Sequence, residues 1–177
     1  MKIFFRVMFL FFFVILFTCV WIGFFSVLPY PFSQINVAFL LLLSFLLWKE
    51  SGIVVWMSFA FHFFLELFTA SAFGIVLFSG TMTMLIVFWL YQFVITNRSW
   101  YATLFLSVLA LVVYRILFFL LIFLEGVWSA DAAGGVSLSS FFPFVFWEVG
   151  LTSLGVVAIF FVLNFFSRRM STALIQR

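Results

Sequence analysis

The chain has 177 residues, of which 68% are hydrophobic and 7% charged, and its formal net charge is +3. A soluble domain is roughly 45–50% apolar and about 25% charged, and one this small has too much surface to hide so much apolar area. The composition therefore excludes a soluble globular fold and predicts an all-α polytopic membrane protein. A lone cysteine, Cys19, excludes an intrachain disulfide or a thiolate metal cluster.

The apolar runs predict a single domain over 1–177 with six membrane-crossing helices. The first, 3–28, is closed by Pro29, Tyr30 and Pro31. It is too long for a signal peptide and lacks a small-residue cleavage site. The second is placed at 32–48. Its apolar part begins at Asn36 and is short against the roughly 20 residues a straight crossing needs, so it borrows from Phe32 onward or the bilayer thins around it. Lys49, Glu50, Ser51 and Gly52 make a tight turn into the third helix, 53–68. Small residues from Thr69 to Ala72 lead to the fourth, 74–95, and Thr96–Ser99 to the fifth, 100–124. Residues 125–140 hold Gly134 and Gly135 and read as one flexible loop before the sixth helix, 141–166. There is no internal repeat.

Basic residues orient this pattern. Lys2, Arg6, Lys49, Arg98, Arg168, Arg169 and Arg177 all fall on one side, whereas Glu125 and Asp131 fall on the other. Cationic loops stay in the cytoplasm, so both termini are expected inside. The net charge is thus the mark of topology, and nucleic-acid binding does not follow from it. Trp48, Trp56, Trp89, Tyr91, Trp100 and Tyr101 form an expected inner aromatic belt, with Tyr30 and Trp128 on the outer side. The 33 Phe residues are spread along the chain and read as filler for lipid-facing positions.

Four ionisable residues lie within the apolar runs: His62, Glu66, Arg115 and Glu148. Ionised groups in hydrocarbon are costly, so they are expected to face protein and to find partners. At ~1.5 Å per residue, Arg115 lies about 13 Å from the outer end of its helix, Glu148 about 10 Å and Glu66 about 4 Å. Arg115 and Glu148 are the pair best matched in depth, and Arg115 would meet Glu66 only by snorkelling outward. His62 shares a helix face with Glu66 at i and i+4. The set reads as a neutralised polar knot joining the third, fifth and sixth helices. The competing reading is a proton path, but all four residues sit in the outer half. His62 is the sole histidine and reads as a packing residue; no metal site or other cofactor is expected. Ser–His–Asp sets, phosphate loops and HExxH are absent, so no enzyme activity is expected.

Two stretches carry a family resemblance. Ile35-Asn36-Val37-Ala38-Phe39 with the following leucines resembles the second helix of the rod shape-determining protein MreD family, which often opens Pro-Asn before a Leu-rich run. Phe64-Leu65-Glu66-Leu67-Phe68-Thr69-Ala70-Ser71-Ala72-Phe73-Gly74 is similar to that family's Leu-Asp-Leu-x-Ser-Gly-x-x-x-Gly turn. Asn36, Glu66 and Gly74 match motif positions, whereas Ile35 replaces the proline and Thr69-Ala70 replace Ser-Gly. The resemblance implies a multi-pass protein of the bacterial cytoplasmic membrane that acts in cell elongation as a non-catalytic scaffold. Implied partners are membrane lipid, a bitopic MreC-like scaffold and the wall-synthesising membrane enzymes. Two rivals remain: a small proton-coupled carrier, and a substrate-binding subunit of an energy-coupling-factor vitamin transporter. Against the transporter subunit, the first run, from Phe9 to Phe17, is bulky where such subunits carry an Ala-x-x-x-Ala docking patch.

The topology has a direct check. Cysteine introduced at Ser137 should react with an impermeant thiol reagent added to intact cells, and cysteine at Asn97 should not. Labelling at Asn97 would overturn the six-crossing, both-ends-in arrangement.

Overall fold

The computed structural model describes residue 23 and residues 28–94, 99–128 and 138–175. Nearly all of the first predicted helix lies outside the described residues, as do Lys2, Arg6, Cys19, Arg98, Asp131 and Arg177. After a short 3-10 helix, Phe32–Gln34, come α1 (Val37–Lys49), α2 (Ile53–Glu66), α3 (Ile75–Phe93), α4 (Trp100–Trp128) and α5 (Leu138–Ile175). No strand occurs among the described residues. Three stretches are long and apolar enough to cross a membrane: Ile75–Phe93, Trp100–Gly126 and Pro143–Phe165. Helices α1 and α2 are apolar but have only 13 and 14 residues, about 20 Å each.

Several boundaries differ from the sequence reading. The second predicted helix does not borrow residues from Phe32. Residues 32–34 close a separate 3-10 turn, and Asn36 caps α1 by accepting the Phe39 N–H at 3.3 Å on its side-chain oxygen. Helix α4 continues to Trp128 and α5 starts at Leu138, so the expected 125–140 loop shrinks and Glu125 is helical. The α1–α2 turn is made by Glu50, whose left-handed backbone (φ 51°) ends α1 while its N–H bonds the Leu46 carbonyl at 2.9 Å.

Each helix packs on the next in sequence, and α5 returns to α1, closing the ring. Helix α1 also touches α4, so the shortest helix runs through the core. Phe39, Leu42, Leu43 and Leu46 of α1 meet Val54 of α2, Met84 and Val87 of α3, Leu106, Ala110 and Leu111 of α4, and Val156 of α5. Tyr91, placed in the aromatic belt by sequence, instead joins this core, whereas Trp48, Trp56, Trp89, Trp100 and Tyr101 are exposed. Only Phe39 and Phe61 are buried among the described phenylalanines. Most of the others lie outward, where lipid accepts any apolar side chain.

Close approach depends on missing side chains. At Gly80 an added methyl would overlap the His62 ring of α2, and at Gly155 it would come within 2.5 Å of the Leu40 side chain. The leucine has rotamers to spare; the imidazole is fully enclosed and has none. We therefore expect Gly80→Ala to destabilise the bundle by about 1–3 kcal/mol, as overpacking does. Thermal melts in detergent should show that loss, and adding His62→Ala should recover part of it.

Candidate functional site

The polar residues singled out from the sequence are all inside the bundle, but they form three groups rather than one knot. The first joins α1, α4 and α5. Arg115 of α4 donates its Nε–H to Glu148 Oε2 of α5 at 2.6 Å, and its terminal NH2 group meets the same oxygen. The other carboxylate oxygen, Oε1, accepts from Asn36 Nδ2 at 2.9 Å. One turn along α5, the Thr152 hydroxyl oxygen accepts the Asn36 backbone N–H at 2.9 Å. Glu148 and Thr152 are buried, and the guanidinium lies against Phe144, with its centre 4.9 Å from the ring centroid. A charge-assisted fork plus an amide donor keeps the carboxylate solvated by protein alone.

The second group couples α2 to α3. His62 Nδ1 lies 2.8 Å from the Ser58 carbonyl, which only accepts, so Nδ1 carries the hydrogen. The Ser58 hydroxyl, 3.1 Å from the same nitrogen, donates to the Gly80 carbonyl at 3.2 Å. His62 thus bonds one turn back along its own helix, away from Glu66. The shared i, i+4 face is real, since both are buried, but the two residues serve different neighbours.

The third group is Glu66. Its Oε1 accepts the Gly74 N–H at 3.1 Å and its Oε2 the Leu77 N–H at 2.5 Å, so the carboxylate caps α3 from the end of α2. Gly74 has no side chain for this task, and its φ of 106° is a conformation that L side chains rarely adopt. A negative group at a helix N-terminus also meets the positive end of the helix dipole. Arg115 is therefore spent on Glu148, and Glu66 is spent on backbone amides.

An aromatic junction links the groups. Phe39 lies 4.9 Å from Tyr114 and 5.6 Å from His62, centroid to centroid, and His62 lies 6.1 Å from Tyr114. Sequence reasoning placed Asn36 in a motif but missed its bonds to Glu148 and Thr152. Asparagine just before a Leu-rich run is itself a helix-start signal, which would have shown the cap though not the partner.

Removal of one member of the Arg115–Glu148 pair leaves an uncompensated buried charge, which costs roughly 3–5 kcal/mol. Arg115→Leu and Glu148→Leu should each lower folded yield in detergent, and the double variant should recover part of the loss. Strictly additive losses would show that the contact contributes nothing.

No family model, curated protein or solved structure matches the chain.

Proposed function

We propose that the chain is a non-catalytic membrane scaffold of the bacterial cell-elongation machinery, similar to the MreD family. In this reading it crosses the cytoplasmic membrane six times with both termini inside. Its partners are a bitopic MreC-like protein and the wall-synthesising membrane enzymes. The observation that carries the reading is how the interior polar groups are used. Asn36, Glu66, Arg115 and Glu148 each tie one helix to another or close a helix end, and His62 is bonded to Ser58, whose hydroxyl joins α2 to the Gly80 carbonyl of α3. The three motif positions share in this: Asn36 caps α1, Glu66 caps α3, and Gly74 supplies the positive φ that the Glu66 cap requires. A motif whose residues build helix ends suits a protein whose work is to present a fixed surface.

At the α2–α3 turn that surface is apolar. Leu67, Phe68 and Phe73 are exposed, and Phe73 lies edge-on to Phe63 at 6.3 Å.

A proton carrier needs a titrating carboxyl at Glu66, whereas a scaffold needs only the cap. Glutamine there offers one acceptor oxygen where the carboxylate uses two, so Glu66→Gln should cost about 1 kcal/mol of stability, as a weakened cap does. It should still restore rod shape to a depleted strain. Phe73→Arg, on the exposed turn, should express normally but restore shape poorly and co-purify less of the bitopic partner. A Glu66→Gln protein that is well expressed yet fails completely to rescue shape would overturn the scaffold reading in favour of the carrier.

A further inference from the structure

Bases and indoles gather at one end of the bundle. Successive helices pack on one another, so three segments share that end: the α1–α2 turn with Lys49, the α3–α4 connection with Arg98, and the chain beyond Phe165 with Arg168, Arg169 and Arg177. Five bases there stand against one acid, Glu50, whereas the connections at the other end hold Glu125 and Asp131 and no base. Membrane proteins carry aromatic rings at both interfaces. Here Trp48, Trp56, Trp89 and Trp100 all stand at the Lys49 end, each more than half exposed, and Trp147 at the other end is 38% exposed.

The two kinds of side chain are interleaved. Lys49 Nζ lies 4.6 Å from the centre of the Trp48 ring. Gly52 of the same turn lies against Phe88 of α3, which sets that turn beside Trp89 and Phe93, whose rings are 5.7 Å apart. Charge then selects the occupant. An exposed indole at an interface meets lipid, its ring among the upper chains and its N–H toward headgroup oxygen. A zwitterionic headgroup also brings a quaternary ammonium, which seeks a carboxylate or an aromatic face. The Trp48 face already holds the Lys49 ammonium, and bases outnumber acids at this end. A phosphodiester without an ammonium meets the same bases with no such conflict. An acidic protein segment would match the charge but leave the indoles and the exposed Ile53 without an apolar partner. We propose that the Lys49 end is a binding surface for anionic phospholipid. The charges of Lys49 and Arg98 are set against the phosphate, and Trp48, Trp56 and Trp89 against the glycerol and upper chains. The proposal rests on the chain being membrane-embedded and on no protein partner.

The test is quenching of tryptophan fluorescence by brominated lipid, which acts at short range. The full chain, with Trp21, Trp128 and Trp147 replaced by Phe, is placed in vesicles of dioleoyl phosphatidylcholine containing a minor share of phosphatidylglycerol. Bromine is carried either by the phosphatidylglycerol or by an equal share of the phosphatidylcholine, and the unsubstituted chain is measured alongside. Both leaflets have one composition, so orientation in the vesicle does not matter. We expect phosphatidylglycerol to be preferred roughly fivefold, the worth of one base at an anionic surface. The preference should disappear in the Lys49→Gln/Arg98→Gln variant and weaken in high salt, which screens exposed charge. Equal quenching by the two lipids in the unsubstituted chain overturns the proposal in favour of an acidic protein segment, whether or not any variant folds. A preference that survives in the double variant overturns it in favour of a diffuse field from the α5 tail. Loss of the preference on addition of soluble glycerophosphoglycerol overturns the lipid in favour of a free phosphodiester. Absence of quenching by either lipid overturns the membrane reading, and the proposal with it.

Discussion

A helix that begins against a packed neighbour has little water to receive its first amides, and α1 begins against α5. The fold answers with side chains from elsewhere in the chain. Asn36 turns its own carbonyl oxygen onto α1 and hands its backbone N–H to Thr152, and Glu148 fixes the asparagine amide so that its oxygen faces the helix. The carboxylate is tolerated in turn because Arg115 answers its charge from α4. Remove any one of these and the others become unsatisfied polar groups in a low-dielectric interior, the costliest condition for a hydrogen-bonding atom. The position of α1, and with it the core that α1 carries, depends on this one constraint.

The same rule shapes the α2–α3 corner by a different device. Here the helix start bears a glycine, and the missing cap is supplied from eight and eleven residues upstream by Glu66. Two carboxylates of one chain thus do related work, one through an asparagine and one directly on amides. Between them the interior is made of small hydroxyl residues and aromatic rings. Ser58, Ser79, Thr83, Thr103 and Ser107 are buried, and Ser58, Ser79, Thr83 and Ser107 return their hydroxyl hydrogens to nearby helix carbonyls. Small residues let helices approach in lipid, where no hydrophobic force drives them together.

How much of this was readable beforehand follows from the range of each interaction. Apolar runs and turn residues are local, so the five described helices are visible in the sequence to within a few residues at most ends. The start of α1 was misplaced because a straight crossing needs roughly 20 residues, which pulled the helix back to Phe32 although Asn36 carries the start signal. Arg115 and Glu148 are 33 residues apart, yet depth along two neighbouring helices suffices to match them. The Asn36–Glu148 contact spans 112 residues and two parallel helices that do not follow one another, and no pattern in the sequence encodes it. His62 and Glu66 show the opposite lesson. Helical spacing puts them on one face, but facing the same way does not make them partners when α3 offers amides to one and a close glycine to the other.

The order of helices around the ring has a bearing on how the protein is made. Because α1 to α5 are neighbours in sequence order, each interface becomes available as soon as the next helix has left the ribosome, and such local contacts form quickly. The closure of α5 on α1 is the exception. Until Glu148 and Thr152 arrive, the first turn of α1 lacks two of its polar partners, and the partly made chain carries an exposed polar defect in the membrane. Arrival of α5 is therefore chemically distinguishable from every earlier stage of synthesis. A chain cut short before α5 would keep that defect as a ready mark for quality control.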